Sequence, residues 1–418
     1  YFTKLMIFFK KNGGGVFSIS PLNKRKIKMK TKHFFIIGGA NLQIDLIKTA
    51  NKYFITHIFD YDENCFCKNL GDYFHLISID EKEKILELAL KFNIIGIATS
   101  ATELGNLTAC YIGEKLGLGT NSYECAKNTT DKTLMKKIFK KHNIGHAKYI
   151  LLQDEKDLEQ IKEFPIVIKP SDRSAGRGVV KISSKKDLLT IYKIAKELSY
   201  NKIVLAEEVL EGRQFSVETI SSNGKHQIVA ITEEYIRDGK FADDFLEKQD
   251  LTPARLAYLE KISIETEIFK TLEAFDIKFG ACHIEIKVKK MNNNYETKII
   301  EIATRIGGWR DALVLFSKNI NFNELLIQTC LKQKLQKIED KTQNYCLLKI
   351  VFTKEDYEFY KKIKFYKKHL IVDELFFIDD KENFIEHSSS LIDAKGYYYL
   401  KIPFEENPDL YINEQIKF

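Results

Sequence analysis

The chain has 418 residues, 44% of them hydrophobic and 29% charged, with a formal net charge of +7. That balance suits folded domains and excludes a disordered, collagen-like or coiled-coil chain. No apolar run approaches the roughly 18 residues that cross a bilayer, and the length allows roughly two to three domains.

The chain opens on a basic leader. Residues 1–32 hold nine Lys and Arg and no acid, and the remainder carries 56 basic against 58 acidic groups. The excess charge is therefore local, which speaks against nucleic acid or a membrane surface as the partner of the folded part. The sequence begins with Tyr1, and Met29 stands just before the first apolar strand, so residues 1–32 are expected to be a disordered extension or not native coding sequence. Seven cysteines are scattered without a Cys-x-x-Cys pair, and Cys65 and Cys67 are too close in sequence for a zinc knuckle. Free thiols and a cytoplasmic setting are expected.

From residue 33 strands and helices alternate. Residues 34–37 read as a strand, Gly38-Gly39 as a tight turn, and Leu42, Ile44, Leu46, Ile47 and Ala50 recur at helical spacing. Strands over 54–59, 74–79 and 94–98 and helices over 81–91 and 109–116 complete a unit whose alternation predicts a parallel sheet with helices on its faces. Gly38-Gly39 lacks the rest of a Gly-x-Gly-x-x-Gly fingerprint, so the turn needs no dinucleotide. Thr130 or Asp131 caps a helix carrying Leu134, Met135, Ile138 and Phe139 on one face. Strands are predicted over 166–169, 179–182, 203–207, 215–221, 227–232, 283–288 and 298–302, with Asn292-Asn293-Asn294 as a hairpin turn. A helix over 311–317 follows Gly307-Gly308, and 345–418 is a run of aromatics and short strands.

Three segments carry chemistry. In the first, a strand ends on Lys169 and runs through Ser171, Ser174, Gly176, Arg177 and Gly178 into the next strand. Glycines let backbone N–H groups approach an anion, and Lys169 places an ammonium on a phosphate; a plain polar hairpin would look the same. In the second, an apolar strand enters Glu207-Glu208-Val209-Leu210 before Gly212 and Gln214, a break whose backbone could read a base edge or simply be a solvated turn. In the third, His283, Glu285 and Lys287 share one strand face, and Glu301, Ala303 and Arg305 share another. If those strands pair, Glu285 and Glu301 converge. Two carboxylates among apolar neighbours favour a hard divalent cation between them, with Arg305 at hand to neutralise a transferring phosphoryl group. Exposed carboxylates on an edge hairpin are the plainer alternative. Gly307-Gly308 ahead of a helix adds an anion-binding terminus.

These segments, in this order and with the Asn128–Met135 stretch ahead of them, resemble the ATP-grasp superfamily over residues 33 to about 345, most closely its carboxylate–amine ligases of the amino-acid ligase type. The resemblance implies a mixed α/β and α+β fold: a pre-ATP-grasp parallel-sheet domain over 33–120, a two-lobed ATP-grasp domain over 121–344, and a small C-terminal α+β lid over 345–418. It implies ATP with Mg²⁺ or Mn²⁺, and small-molecule carboxylate and amine substrates; assembly as a homodimer is left open. Carried over by residue, Lys132 and Lys169 meet the nucleotide, Ser171, Ser174, Gly176, Arg177 and Gly178 cover its phosphates, and Glu207, Glu208, Val209 and Leu210 form the adenine hinge with Gln214 on the ribose. Glu285 and Glu301 hold the metal, and Arg305 and Lys169 act in catalysis. Gly307, Gly308, Arg310 and His283 face the substrate, although the residues around His283 favour a satisfied strand histidine. Three departures stand out. Ala303 replaces a usual Asn, Gln214 a common Glu, and Glu233-Glu234 a phosphate-directed Lys for which Arg237 or Lys240 could substitute. The implied reaction activates a carboxylate as acyl phosphate, joins it to an amine and forms ADP. A formate- or bicarbonate-activating ligase of purine or carbamoyl-phosphate type, and a nucleotide-binding protein without turnover, remain alternatives.

Overall fold

The computed structural model describes residues 31–174, 176–236, 245–378, 384 and 391–416. The basic leader lies outside them except for its last two residues. Among the described residues no helix is long and apolar enough to cross a membrane.

The first unit is the parallel sheet the alternation implied. Strands β1 (His33–Ile37), β2 (Ile55–Asp60), β3 (Tyr73–Leu76) and β4 (Gly96–Ala98) lie in the order β3-β2-β1-β4, all neighbours parallel. Strand β1 is Phe-Phe-Ile-Ile after its first residue and is buried throughout that stretch, as expected for a strand covered on both faces. The helix predicted over 109–116 begins earlier, at Glu103, because the Thr102 side chain caps the Gly105 N–H.

A second, antiparallel sheet is a small lobe. It comprises β5 (Tyr149–Leu152), β6 (Ile166–Pro170), β7 (Val180–Ile182) and β8 (Val204–Glu208), in the order β5-β8-β6-β7. The largest sheet has eight antiparallel strands: β9 (Arg213–Ser222), β10 (Lys225–Ile236), β11 (Glu247–Thr252), β12 (Gly280–Lys290), β13 (Tyr295–Ala303), β14 (Asn344–Val351), β15 (Ile371–Phe376) and β16 (Gly396–Pro403). Their order is β13-β12-β9-β10-β11-β14-β16-β15. The C-terminal strands thus continue the central sheet, and Leu347, Tyr398 and Leu400 share a core with Leu251 of β11.

The parallel-sheet unit is packed on one end of the front of the large sheet, the face that also bears His283 and Glu285. Phe34, Leu46 and Ile47 share one buried cluster with Ile220, Val229 and Ala281, and Phe322, Leu326 and Ile327 of the helix Phe322–Cys330 join it. This interface brings the loops after β1 and β4 to the cleft at the front of the large sheet, where Asn41, Leu42, Ala101 and Glu103 line it, as loops at the carboxyl ends of parallel strands often line ligand sites.

Lys349 ties the C-terminal turn down. It is buried in β14, donates to Tyr411 O at 3.1 Å and pairs with Glu414 at 2.8 Å. Burial pushes its ammonium down from 10.5 to about 8, with Glu414 pulling the other way. The folded chain therefore sheds this proton before the unfolded one, and the group makes stability rise between about pH 8 and about pH 10.5. Lys349→Met is expected to flatten that rise, read as the change in urea midpoint between the two pH limits. A native-like slope in the variant would remove the assignment.

Candidate active site

A cleft of about 1810 Å³ opens between the small lobe, the front of the large sheet and the first unit's loops. Every site residue singled out in the sequence lines it except Ser171 and Gly307. Ser171 is fully buried, its hydroxyl donating to Asn201 Oδ1 at 2.8 Å. Gly307 sits just beneath the wall. A Cβ there would fall 2.5 Å from both Arg310 Cγ and His283 Nδ1, so only glycine fits. Its N–H is directed at Glu218 Oε2, 3.3 Å away. The helix behind runs Arg310–Lys318 with Trp309 at its N-cap, so the glycine pair stands directly ahead of the N-cap of the helix whose terminus the sequence suggested as an anion site.

The lysines come from a short helix whose start is well specified. The Asp131 carboxylate accepts from the N–H groups of Thr133 (2.7 Å) and Leu134 (3.3 Å) and begins the helix Lys132–Lys141. Lys132 is then in the first turn and Lys136 one turn later, on the same face. Lys132 Nζ lies 3.0 Å from Glu301 Oε2 and donates to Arg173 O at 2.8 Å. Lys136 and Lys169 clamp Glu207 from either side, at 2.9 and 2.8 Å. Glu207 is thereby held below its usual range by its two lysines against the opposing effect of burial. Lys136 escaped the sequence reading, although its i, i+4 relation to Lys132 was the available signal.

The turn between β6 and β7 keeps the features read from its sequence. Gly176 and Gly178 have φ of 70° and 74°, which side chains resist. A Cβ on Gly178 would also meet Leu198 Cδ1 at 2.8 Å. Arg177 folds back on the turn, its Nε donating to Ser174 O at 3.1 Å. At the break after β8, the side chain of Glu208 turns to Lys298 at 2.9 Å, and Val209 and Leu210 lie along the cleft wall.

Strands β12 and β13 pair in the register that sets Glu285 directly opposite Glu301, and both side chains line the cleft. Burial works against ionisation of Glu301, yet Lys132, Lys169 and Arg305 hold it down to about 2. The donor set is carboxylate oxygen on a cationic rim, chemistry that fits a hard divalent cation bridging phosphates. Ala303, opposite His283 in the same register, offers no donor. Arg305 is held by the first unit: its Nε donates to Glu103 Oε1 at 3.1 Å, and Glu103 is in the first turn of its helix.

The floor of the cleft is a polar network that the sequence did not disclose. Arg310, 1% exposed, reaches Asp250 (2.6 Å), Glu247 (2.6 Å), Glu234 (2.7 Å) and Ser216 Oγ (2.9 Å). Burial and the neighbouring carboxylates of Glu285 and Glu247 lift Glu234 to about 7, and burial raises Asp250 well above its ordinary value. Arg310's guanidinium is thus engaged inside the protein. Gln214 lies opposite Glu234 in the β9–β10 register and donates to it at 2.9 Å. A glutamate at 214 would set carboxylate against carboxylate, so the glutamine suits the glutamate it faces. Arg237 and Lys240 lie outside the described residues. His283 is held by Glu218, Nδ1 to Oε1 at 2.5 Å, with Nε2 at 3.5 Å from Glu285. Burial opposes its charge, but Glu218 and Glu285 raise it to about 10. Glu218 was also missed, and its signal was a lone acid within an apolar strand.

Residues 162–312 match the ATP-grasp domain family. Over 222 residues the chain is 25% identical to the carbamoyl phosphate synthase large chain of a Thermoanaerobacter strain, covering 52% of this chain and 20% of that protein. Over 234 residues it is 25% identical to the L-arginine-specific L-amino acid ligase of Bacillus subtilis, covering 54% and 55% respectively. The chain thus spans between a fifth and about half of these relatives. The crystal structure of L-amino acid ligase from Bacillus licheniformis superposes with a TM-score of 0.74 at 19% identity, covering 93% of this chain and 97% of that one, a likeness of fold.

Proposed function

We propose that this chain, which carries an ATP-grasp domain over residues 162–312, is an ADP-forming ligase that activates a small-molecule carboxylate and joins it to an amine. The observation that carries this reading is the register of β12 and β13. It sets Glu285 against Glu301 inside a cleft that also holds Lys132, Lys169, Arg305 and the glycine turn. Relatives named as L-amino acid and D-alanine–D-alanine ligases support it.

In this reading the glycine turn with Ser174 and Arg177 covers the nucleotide phosphates, and Lys132 and Lys169 supply ammonium charge to them. The break at Glu208–Leu210 takes the base edge, with Gln214 toward the ribose. A divalent cation held by Glu285 and Glu301 would neutralise phosphate charge. Arg305 faces the charge that grows as the carboxylate oxygen attacks the γ-phosphorus, and the amine then displaces phosphate from the acyl phosphate. The chain's contribution is placement and charge, without a covalent role. The units 33–120, 121–344 and 345–418 serve as substrate platform, nucleotide domain and cleft rim. Seven free thiols accord with a reducing, cytoplasmic setting.

ADP production measured over a panel of carboxylates crossed with amines, formate and bicarbonate included, tests the reading. Turnover requiring both an organic carboxylate and an amine is expected. Turnover on bicarbonate or formate alone moves the protein to the carbamoyl-phosphate or purine type, and nucleotide binding with no ADP from any pair overturns the ligase.

A further inference from the structure

We propose that His283 is a nitrogen ligand to a divalent cation, held jointly with Glu285 and Glu234 on the floor of the cleft. The inference rests on the preceding reading only through the shared Glu285.

One ligand atom from each of these three residues lies within 4.8 Å of the other two. His283 is 5% exposed, and its ring is fixed by Glu218 on the Nδ1 side. The result is a carboxylate–histidine pair with the far nitrogen presented to the cleft, the arrangement by which proteins orient a metal-binding imidazole. Nε2 stands 3.5 Å from Glu285 Oε1. That is long for a hydrogen bond and close to the spacing, roughly 3 to 3.5 Å, of two ligands that share one ion at bonds of about 2.1 Å.

Charge points the same way. Among the described residues, Arg310 and His283 are the cations in ion pairs with Glu218, Glu234, Glu247, Asp250 and Glu285. A ligating imidazole is neutral, which leaves Arg310 as the cation in these ion pairs and makes a dication a fitting counter-charge for the carboxylates. Ala303, directly across from His283, supplies no side-chain ligand, and His283 and Glu234 are donors within reach of Glu285. A nitrogen in the set shifts preference from Mg²⁺ toward first-row transition ions, for which Mn²⁺ serves as a paramagnetic probe.

The test uses the full chain and Mn²⁺ alone. Loss of the free-ion electron paramagnetic resonance signal reports binding, and pulsed measurements report nitrogen in the coordination shell. A ¹⁴N modulation is expected, and it should change to the ¹⁵N pattern when only histidine is ¹⁵N-labelled, which needs no variant and no folding control. His283→Gln should lose the modulation and weaken Mn²⁺ at least tenfold. Bound Mn²⁺ with no nitrogen coupling in the native chain would overturn the proposal, leaving His283 as an imidazolium bridge between Glu218 and Glu285. So would failure to retain Mn²⁺ at millimolar concentration. ADP binding by calorimetry separates the two readings. Nitrogen coupling without nucleotide binding removes the ligase and keeps this site, and ADP binding beside an all-oxygen Mn²⁺ does the reverse.

Discussion

Replacing Glu301 with alanine is expected to lower Mg·ATP-dependent ADP formation by about 10²- to 10³-fold, the scale seen when one preorganised electrostatic contact to the transition state is lost. The expectation follows from where Glu301 sits. It faces Glu285 across the β12–β13 pair, and Lys132 is its ion-pair partner at 3.0 Å. The substitution removes one of two facing carboxylates and leaves the Lys132 ammonium without its counterion, so both the charge pattern and the position of Lys132 are lost. Glu301→Gln separates these effects. It keeps the shape and a hydrogen-bond acceptor for Lys132 but removes the charge, and should still lose most of the rate. Rates are compared with ADP binding measured by calorimetry and with far-ultraviolet circular dichroism to show that the fold is intact. Turnover within about threefold of the native chain in both variants would remove Glu301 from the site.

The largest effect on stability is expected from Arg310→Met. The native guanidinium joins Asp250, Glu234 and Glu247 at 2.6 to 2.7 Å and Ser216 at 2.9 Å with 1% of its surface exposed. Methionine fills much of the volume but leaves three carboxylates packed together without their cation. Removing one partner of a buried ionic group costs about 3–5 kcal/mol, a large part of the roughly 5–15 kcal/mol that holds a domain together. Arg310→Lys should recover only part of this, because an ammonium cannot fork to several carboxylates at once. The defect should also shrink as pH falls. Glu234 and Asp250 already have raised values in the native chain, and without Arg310 they take up protons more readily, which relieves the repulsion. Urea midpoints at about pH 5 and about pH 7.5 measure both effects. A loss under about 1 kcal/mol at the higher pH would show that the network does not hold the fold together.

Much of the site was legible because its determinants are local. Whether side chains share a strand face depends on alternation, so Glu285 and Glu301 could each be placed on a face before any coordinates. The glycine turn after Lys169 and the Asp131 cap likewise depend on residues a few positions apart. The parallel sheet over 33–98 was legible for the same reason, since its strands are short apolar runs between amphipathic helices. Strand β11 was not. Glu-Lys-Gln-Asp-Leu-Thr reads as a polar loop, yet its last four residues are buried, because Arg310, sixty positions away in the chain, neutralises Asp250. Polar residues buried by a distant partner carry no local signature.

The sequence by itself determined the parallel-sheet unit, the turn chemistry and the pairing of residue kinds that suits a nucleotide and a cation. Those are properties of backbone stereochemistry and of neighbours within one turn or one hairpin. Tertiary structure alone decided that Arg305 is held by Glu103, that Arg310 is enclosed by three acids, and that Gln214 and Glu234 form one hydrogen-bonded pair. It also set His283 between Glu218 and Glu285. Each of these depends on which of many chemically equivalent charges ends up within a few ångströms after folding. Long-range packing of apolar faces makes that choice, and the charges then adjust to it.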